Sequence, residues 1–244
     1  MLKLKGQLHI HSVLSPCASL EMGPKLIIQR AKELGLDFIG ITDHNSTKNL
    51  KAFSTLCQTN NLYFLPGIEV ETKEEVHVLC YFNDLEKAEE LGSLIYETLL
   101  PIPNDPELFG YQVLVDEKEN ILGFEDKLLL QRSSLGIAEL AKVVEERDGV
   151  CIPAHIDRAK NGLLKTLGFI PEEPLFSIFE VSKNCDITVL KDKYSLINKN
   201  LFKGCDAHRL EELEFEPLNL IVKGFSLKEL LLALQNKDGR RYFQ

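Results

Sequence analysis

Apolar and polar positions alternate through residues 2–8, a period-two pattern that predicts a β-strand ending at His9-Ile10-His11. A polar loop with Pro16 and Pro24 follows. Residues 25–34 then carry Leu26, Ile27, Ala31 and Leu34 at helical spacing, stopped by Gly35. Residues 37–42 form a short apolar run that predicts a buried strand, closed by Asp43-His44-Asn45, and a helix is expected over 48–59. Strands are predicted at 62–71, bent or placed near an edge by Pro66-Gly67, and at 75–82 around His77. A helix over 84–99 would start at Asp84. Residues 101–131 lose all periodicity; together with the two residues that follow, 101–133 is expected to be an inserted cap. Beyond it come a helix (136–146), a strand (150–154) ending at His155, strands at 175–181 and 200–205, and a helix over 226–234 capped by Ser226.

Strands alternating with helices favour a parallel α/β barrel or a doubly wound sheet. The length, 244 residues, suits a single domain spanning 1–244. The first strand is followed by no G-x-G-x-x-G turn, so a dinucleotide fold has no support.

Composition narrows the picture. With 28 basic against 37 acidic residues the net charge is −9, which argues against broad nucleic-acid binding. No apolar run is long enough for a membrane span, and no signal-peptide core opens the chain, so a cytoplasmic protein without membrane association is expected. The six cysteines show no C-x-x-C pairing, so free thiols are expected.

The histidines change the picture most. His11, His44, His155 and His208 each close a predicted strand, His9 shares a strand face with His11, and His77 lies within a strand. In a barrel those strand ends converge on one face. Two histidines on an edge strand would mean little; six at one rim, with Glu69, Asp206 and Asp43 nearby, suit Zn²⁺, Mn²⁺ or Fe²⁺ rather than oxygen-preferring Mg²⁺ or Ca²⁺. There are too many donors for one ion, so two or three are expected.

The segments His9-Ile-His11-Ser, Ile41-Thr-Asp43-His44-Asn, Pro66-Gly-Ile-Glu69, Pro153-Ala-His155 and Cys205-Asp206-Ala-His208 resemble, in order, the motifs of the PHP (polymerase and histidinol phosphatase) superfamily. The resemblance implies a distorted (β/α)7, TIM-like barrel with a trinuclear site at the C-terminal ends of its strands. It implies that His9, His11, Glu69 and Asp206 hold one ion; that Glu69, His77 and His155 hold a second, with Glu69 bridging; and that His44 and His208 hold a third. The family's remaining ligand, an Asp or His six residues after His11, is here Cys17, expected to ligate as a soft donor.

Other candidates have other roles. Asp43 is assigned to orient a ligand or cap a helix, Glu71 to solvent, and Ser12 and Asn45 to orienting ligands. Arg158, three residues after His155, is the expected phosphate contact, with Arg132 a further substrate-binding candidate and Arg209, Lys160 and Lys183 weaker ones. The nucleotide-hydrolysing branch of the family carries Arg followed by Pro-His near Arg132; this chain has Arg132-Ser133-Ser134 instead. Ser12 lacks a nucleophile elbow, which disfavours covalent catalysis.

The implied activity is hydrolysis of a small phosphomonoester (nucleotide, sugar or histidinol phosphate) by a metal-activated hydroxide, with Glu69, Asp206, His208 and Arg158 carrying the chemistry. The alternatives are an exonuclease on short oligonucleotides and a non-catalytic metal-binding module. No obligate protein partner is indicated.

Overall fold

The computed structural model describes residues 1–244. In chain order the elements are β1 (Leu2–Ile10), α1 (Pro24–Glu33), β2 (Phe38–Ile41), α2 (Leu50–Thr59), β3 (Tyr63–Glu71), β4 (His77–Tyr81), α3 (Leu85–Thr98), α4 (Pro106–Phe109), β5 (Val113–Val115), β6 (Ile121–Phe124), α5 (Ile137–Glu145), β7 (Val150–Pro153), α6 (Leu163–Thr166), β8 (Ile178–Val181), α7 (Ile187–Tyr194), β9 (Asn200–Lys203), β10 (Leu218–Val222), α8 (Leu227–Leu234) and β11 (Arg241–Phe243). A curled seven-stranded sheet has the order β11-β10-β1-β2-β3-β4-β7, and β8 pairs with β9 in a separate parallel pair. The two sheets meet end to end. His11 N–H donates to Ala207 O at 2.9 Å and Ala207 N–H donates to His9 O at 3.1 Å, while Ile156 N–H reaches Glu180 O at 3.0 Å. No helix is long and apolar enough to cross a membrane.

The sheet is mixed rather than parallel. β4 runs antiparallel to both β3 and β7, and β10 runs antiparallel to β1. The connection from Glu71 to His77 is far too short for a crossover helix, so a hairpin is its only solution. Reversal puts the start of β4 at the same end as the finish of β3, and His77 is therefore a rim residue, not one buried midway along a strand.

Nor is Pro66 at a sheet edge. β3 pairs with β2 through Tyr63–Pro66 and with β4 from Gly67 onward. Pro66 sits at that handover, where its missing N–H costs no ladder bond. A Cβ on Gly67 would lie 2.8 Å from the Tyr81 ring and 2.9 Å from the Thr42 methyl, so only glycine lets these strands close.

The inward strand faces stack Leu8, Phe38, Leu65, Leu79, Tyr81, Ile152, Ile178 and Phe202 into one apolar cluster. Leu218, Leu220 and Val222 of β10 and Leu227, Leu230 and Leu234 of α8 join it. Ser226 caps α8 by accepting from Glu229 N–H at 3.2 Å, whereas the Asp84 side chain makes no cap bond at α3. Tyr81 spends its buried hydroxyl on Leu8 O, 2.9 Å away. Tyr81→Phe is expected to lower unfolding free energy by about 1–3 kcal/mol, because Leu8 O loses a partner in an apolar interior; urea denaturation reads this directly.

Between Gln7 and Ile10 the β1–β2 register shifts. Below the shift Leu4 and Leu8 face the inner cluster; above it Ile10 belongs to the outer core. This irregularity turns His9 and His11 inward, as strand bulges do.

Residues 101–133 contain α4 and the β5–β6 hairpin. They pack beside the loop after β1, with Val113 N–H donating to Val13 O at 2.9 Å, and against the turn before α2, where Asn45 Nδ2 donates to Leu129 O and Gln131 O.

Candidate metal centre

His9, His11, His44, Glu69, His77, His155, Asp206 and His208 converge at one end of the curled sheet, and all but Asp206 and His208 are buried. His9 Nε2 lies 3.1 Å from His11 Nε2, 3.3 Å from Glu69 Oε1 and 3.3 Å from Asp206 Oδ1. His11 Nε2 lies 3.4 Å from Glu69 Oε2 and 3.3 Å from Asp206 Oδ1. Donors about 2.1 Å from a shared ion stand roughly 3.0–3.4 Å from each other, which is this spacing.

Glu69 is the hub. Its Oε1 lies 3.0 Å from His77 Nδ1 and 3.1 Å from His155 Nε2, and its Oε2 lies 2.9 Å from His44 Nδ1. His44 also groups with His11 and His208; the ring centroids of His11 and His208 are 4.1 Å apart. His44 thus stands between the second and third expected donor sets.

The backbone is forced at two of these positions. His155 and Asp206 adopt φ of 29° and 46°, a region unfavourable for residues with a Cβ. Such conformations persist where the surrounding structure imposes them, commonly at functional sites.

Outer contacts fix several rings. Ser15 Oγ donates to Asp43 Oδ1 at 2.7 Å, leaving its lone pairs for His44 N–H and, at 2.9 Å, His11 Nδ1–H. Ser12 donates to Asp43 through both its N–H and its hydroxyl, each at 2.6 Å. Asp43 therefore reaches His11 through Ser15. His208 Nδ1–H donates to Asp206 O at 2.9 Å, freeing its Nε2. His9 Nδ1–H donates to Glu180, at 2.9 Å from Oε1 and 3.0 Å from Oε2. Glu180 does not figure among the sequence candidates; a lone carboxylate in the apolar run Ile178-Phe179-Glu180-Val181 was the available signal.

Electrostatics follow from crowding. Burial alone would raise the Glu69 carboxyl, but the fields of His77, His9 and His44 outweigh it and hold it well below the usual range. Asp206 is likewise held low against burial, chiefly by His9. Burial disfavours a charged His9, yet Glu180, Asp206 and Glu69 raise it well above an ordinary imidazole. Burial, then His208 and His44, push His11 well below one.

The donor set fits divalent transition metals. Glu69 Oε2 and His77 Nδ1 are buried without a hydrogen-bond partner, although nitrogens crowd the Glu69 oxygens. Lone pairs directed at one another without a proton between them are what a cation satisfies.

Two cavities meet at this centre. One, of about 490 Å³, is lined by Ser182, Lys183, Asn184, Arg209 and Glu212; the other, of about 310 Å³, by Glu71, Leu130, Lys160 and Asn161. Both include Cys17, His155, Arg158, Asp206 and His208. Cys17 is exposed at the mouth, where it lines both cavities with His208. Arg158 pairs with Asp206. Arg132 is on the surface, 3.3 Å from Glu75, and lines neither cavity. Glu71 is not simply solvated: it is half-buried, accepts from Asn161 Nδ2 at 3.1 Å and lies 3.8 Å from His77 Nε2. Of residues 101–133 only Leu130 lines these cavities, so the segment flanks the site more than it roofs it.

A buried His/Glu/Asp cluster at the strand ends of a curled α/β sheet has the donors and the position of a metal-dependent active site. The PHP domain matches residues 7–173, and the chain belongs to that family. No curated protein matches the sequence. Among solved structures, the lesion-specific endonuclease PfuEndoQ from Pyrococcus furiosus superposes with a TM-score of 0.75 at 20% identity, over 99% of this chain and 58% of that one. A protein from Bifidobacterium adolescentis assigned as a metal-dependent phosphoesterase gives 0.54 at 17% identity, over 84% and 87%. A two-domain protein from Bacteroides vulgatus, with a domain assigned as a PHP-like metal-dependent phosphoesterase, gives 0.59 at 16% identity, over 99% and 65%. At these identities the likeness is one of fold. The present chain spans little more than half the length of the endonuclease.

Proposed function

We propose that the protein is a metal-dependent phosphoesterase. The observation that carries this reading is the convergence of five histidines on the Glu69 carboxylate, with Asp206 and His208 beside them and buried donor atoms left unpaired. His9, His11, Glu69 and Asp206 would hold one ion, Glu69, His77 and His155 a second, and His44 and His208 a third with Cys17 at its edge. Divalent ions bound there would supply Lewis acidity towards water and the phosphate. The chain's own groups do the rest. Glu69 and Asp206 bring the negative charge that balances the cations. Arg158 exchanges its bond to Asp206 for the non-bridging phosphate oxygens, where a guanidinium offsets developing charge. His208, with Nδ1–H committed to Asp206 O, orients its Nε2 into the site.

Two substrates remain in competition. A small phosphomonoester needs only one of the cavities. A phosphodiester within a nucleic-acid strand is favoured by a specific feature: two cavities share Cys17, His155, Arg158, Asp206 and His208 and extend from them along different residues, so that chain before and after the reacting phosphate would have room. The fold shared with a lesion-specific endonuclease supports the same reading. Protein loaded with Mn²⁺ or Zn²⁺ should be assayed on p-nitrophenyl phosphate, bis-p-nitrophenyl phosphate and an abasic-site duplex. No turnover of any would sink the proposal; turnover of the monoester alone would sink the diester reading. Arg158→Ala is expected to lower kcat/KM about 10²-fold with bound metal unchanged, as loss of one charge-stabilising donor does.

A further inference from the structure

Glu180, like Asp43, is a buried carboxylate behind the centre that the donor sets above do not use, and it is the one in direct contact with a donor histidine. It is fully buried, and no lysine or arginine pairs with it. Its side-chain partner is His9 Nδ1, reached by both oxygens. The chain has made room for it: a Cβ on Gly204 would fall 2.2 Å from Glu180 Cδ and 2.5 Å from each of its oxygens. β9 therefore runs into the centre over a residue with no side chain, and Glu180 occupies the space.

A buried carboxylate whose one partner is a histidine is poor value for stability. Its geometry has a different consequence. With Nδ1–H given to Glu180, the His9 tautomer is fixed and the Nε2 lone pair must face His11, Glu69 and Asp206, 3.1–3.3 Å away. His11 is held differently, through the neutral hydroxyl of Ser15. The two histidines of the first strand are thus unequal, one backed by a full charge and the other by a relayed one.

We infer that Glu180 is a positioning residue that fixes and strengthens His9 as a metal donor, and that Gly204 is kept small to admit it. The inference rests on the proposed metal-dependent function. Carboxylates behind ligating histidines typically account for 10–100-fold in metal affinity.

The test is Zn²⁺ binding by the full-length chain, measured by chelator competition, with the imidazole ¹⁵N–¹H spectrum of the Zn²⁺ form as a second readout. Glu180→Leu is expected to weaken the tightest Zn²⁺ about 10–100-fold and to abolish the downfield His9 Nδ1–H resonance, while the melting temperature of the metal-free protein is not lowered. Glu180→Gln keeps the shape and one acceptor oxygen, so it should retain the resonance and recover part of the affinity. Gly204→Ala, which crowds the carboxylate without removing it, should reproduce the loss. Wild-type affinity in Glu180→Gln and Gly204→Ala, both with native circular dichroism, would overturn the inference even if Glu180→Leu failed to fold. Wild-type protein that takes up no Zn²⁺ would overturn the functional proposal as well, which separates the two failures.

Discussion

Glu69→Ala is expected to lower kcat/KM for any phosphate ester the protein hydrolyses by about a thousand-fold or more, and to reduce bound metal measured by elemental analysis. The magnitude follows from position. An outer contact is worth about 10–100-fold in affinity or activity, and a group that touches several donors at once should exceed it. Glu69 lies within 3.4 Å of nitrogens from His9, His11, His44, His77 and His155. Alanine leaves those imidazoles without their shared counter-charge, so the remaining sites should lose affinity together rather than one at a time. Glu69→Gln separates charge from shape: it keeps the packing and one oxygen, and should still lose most activity. Full activity in either variant would remove Glu69 from the centre of the chemistry.

Removal of metal should show in stability as clearly as in turnover. Protein dialysed against a chelator is expected to be inactive, to melt about 5–10 °C below the Zn²⁺- or Mn²⁺-loaded form for each site lost, and to recover on readdition. A ligand present at 100 times its dissociation constant stabilises the folded state by about 2.7 kcal/mol, and in a chain of this size each kcal/mol moves the melting temperature by about 2–4 °C. Differential scanning fluorimetry across a metal titration tests this. A melting temperature indifferent to metal would mean that the donors are not a site in the folded protein.

Much of this centre is legible in the sequence because histidines placed where strands end must meet if the strands share a sheet. The spacing of His9 and His11, and the strand-closing positions of His44, His155 and His208, carry that information locally. What escapes depends on geometry that local pattern does not hold. The alternation around His77 is the same for either strand direction; the shortness of the Glu71–His77 link was the usable clue to a hairpin. No strand is predicted over 218–222, where the short run Leu-Asn-Leu-Ile-Val breaks alternation at Ile221, and nothing in the pattern says that Leu218, Leu220 and Val222 will join the inner cluster with α8. Glu180 escapes for the strongest reason: its partner His9 lies 171 positions earlier, and a charge in an apolar strand has no explanation until that contact is seen. Pro66 suggested an edge because a proline lacks an N–H, and only the handover between β2 and β4 shows why an interior position tolerates it.

The junction between Ala207 and the end of β1 has a consequence for how the molecule breathes. Two backbone bonds, His11 N–H to Ala207 O and Ala207 N–H to His9 O, with the Cys205 thiol 3.0 Å from His9 O, join the segment after β9 to the end of β1 there. The proposed donors straddle that seam, His9 and His11 on one lip and Asp206 and His208 on the other. Ions held between them would latch the two ends of the chain together. Amide exchange at Ala207 and His11 would then report occupancy of the centre more directly than any probe in the apolar interior.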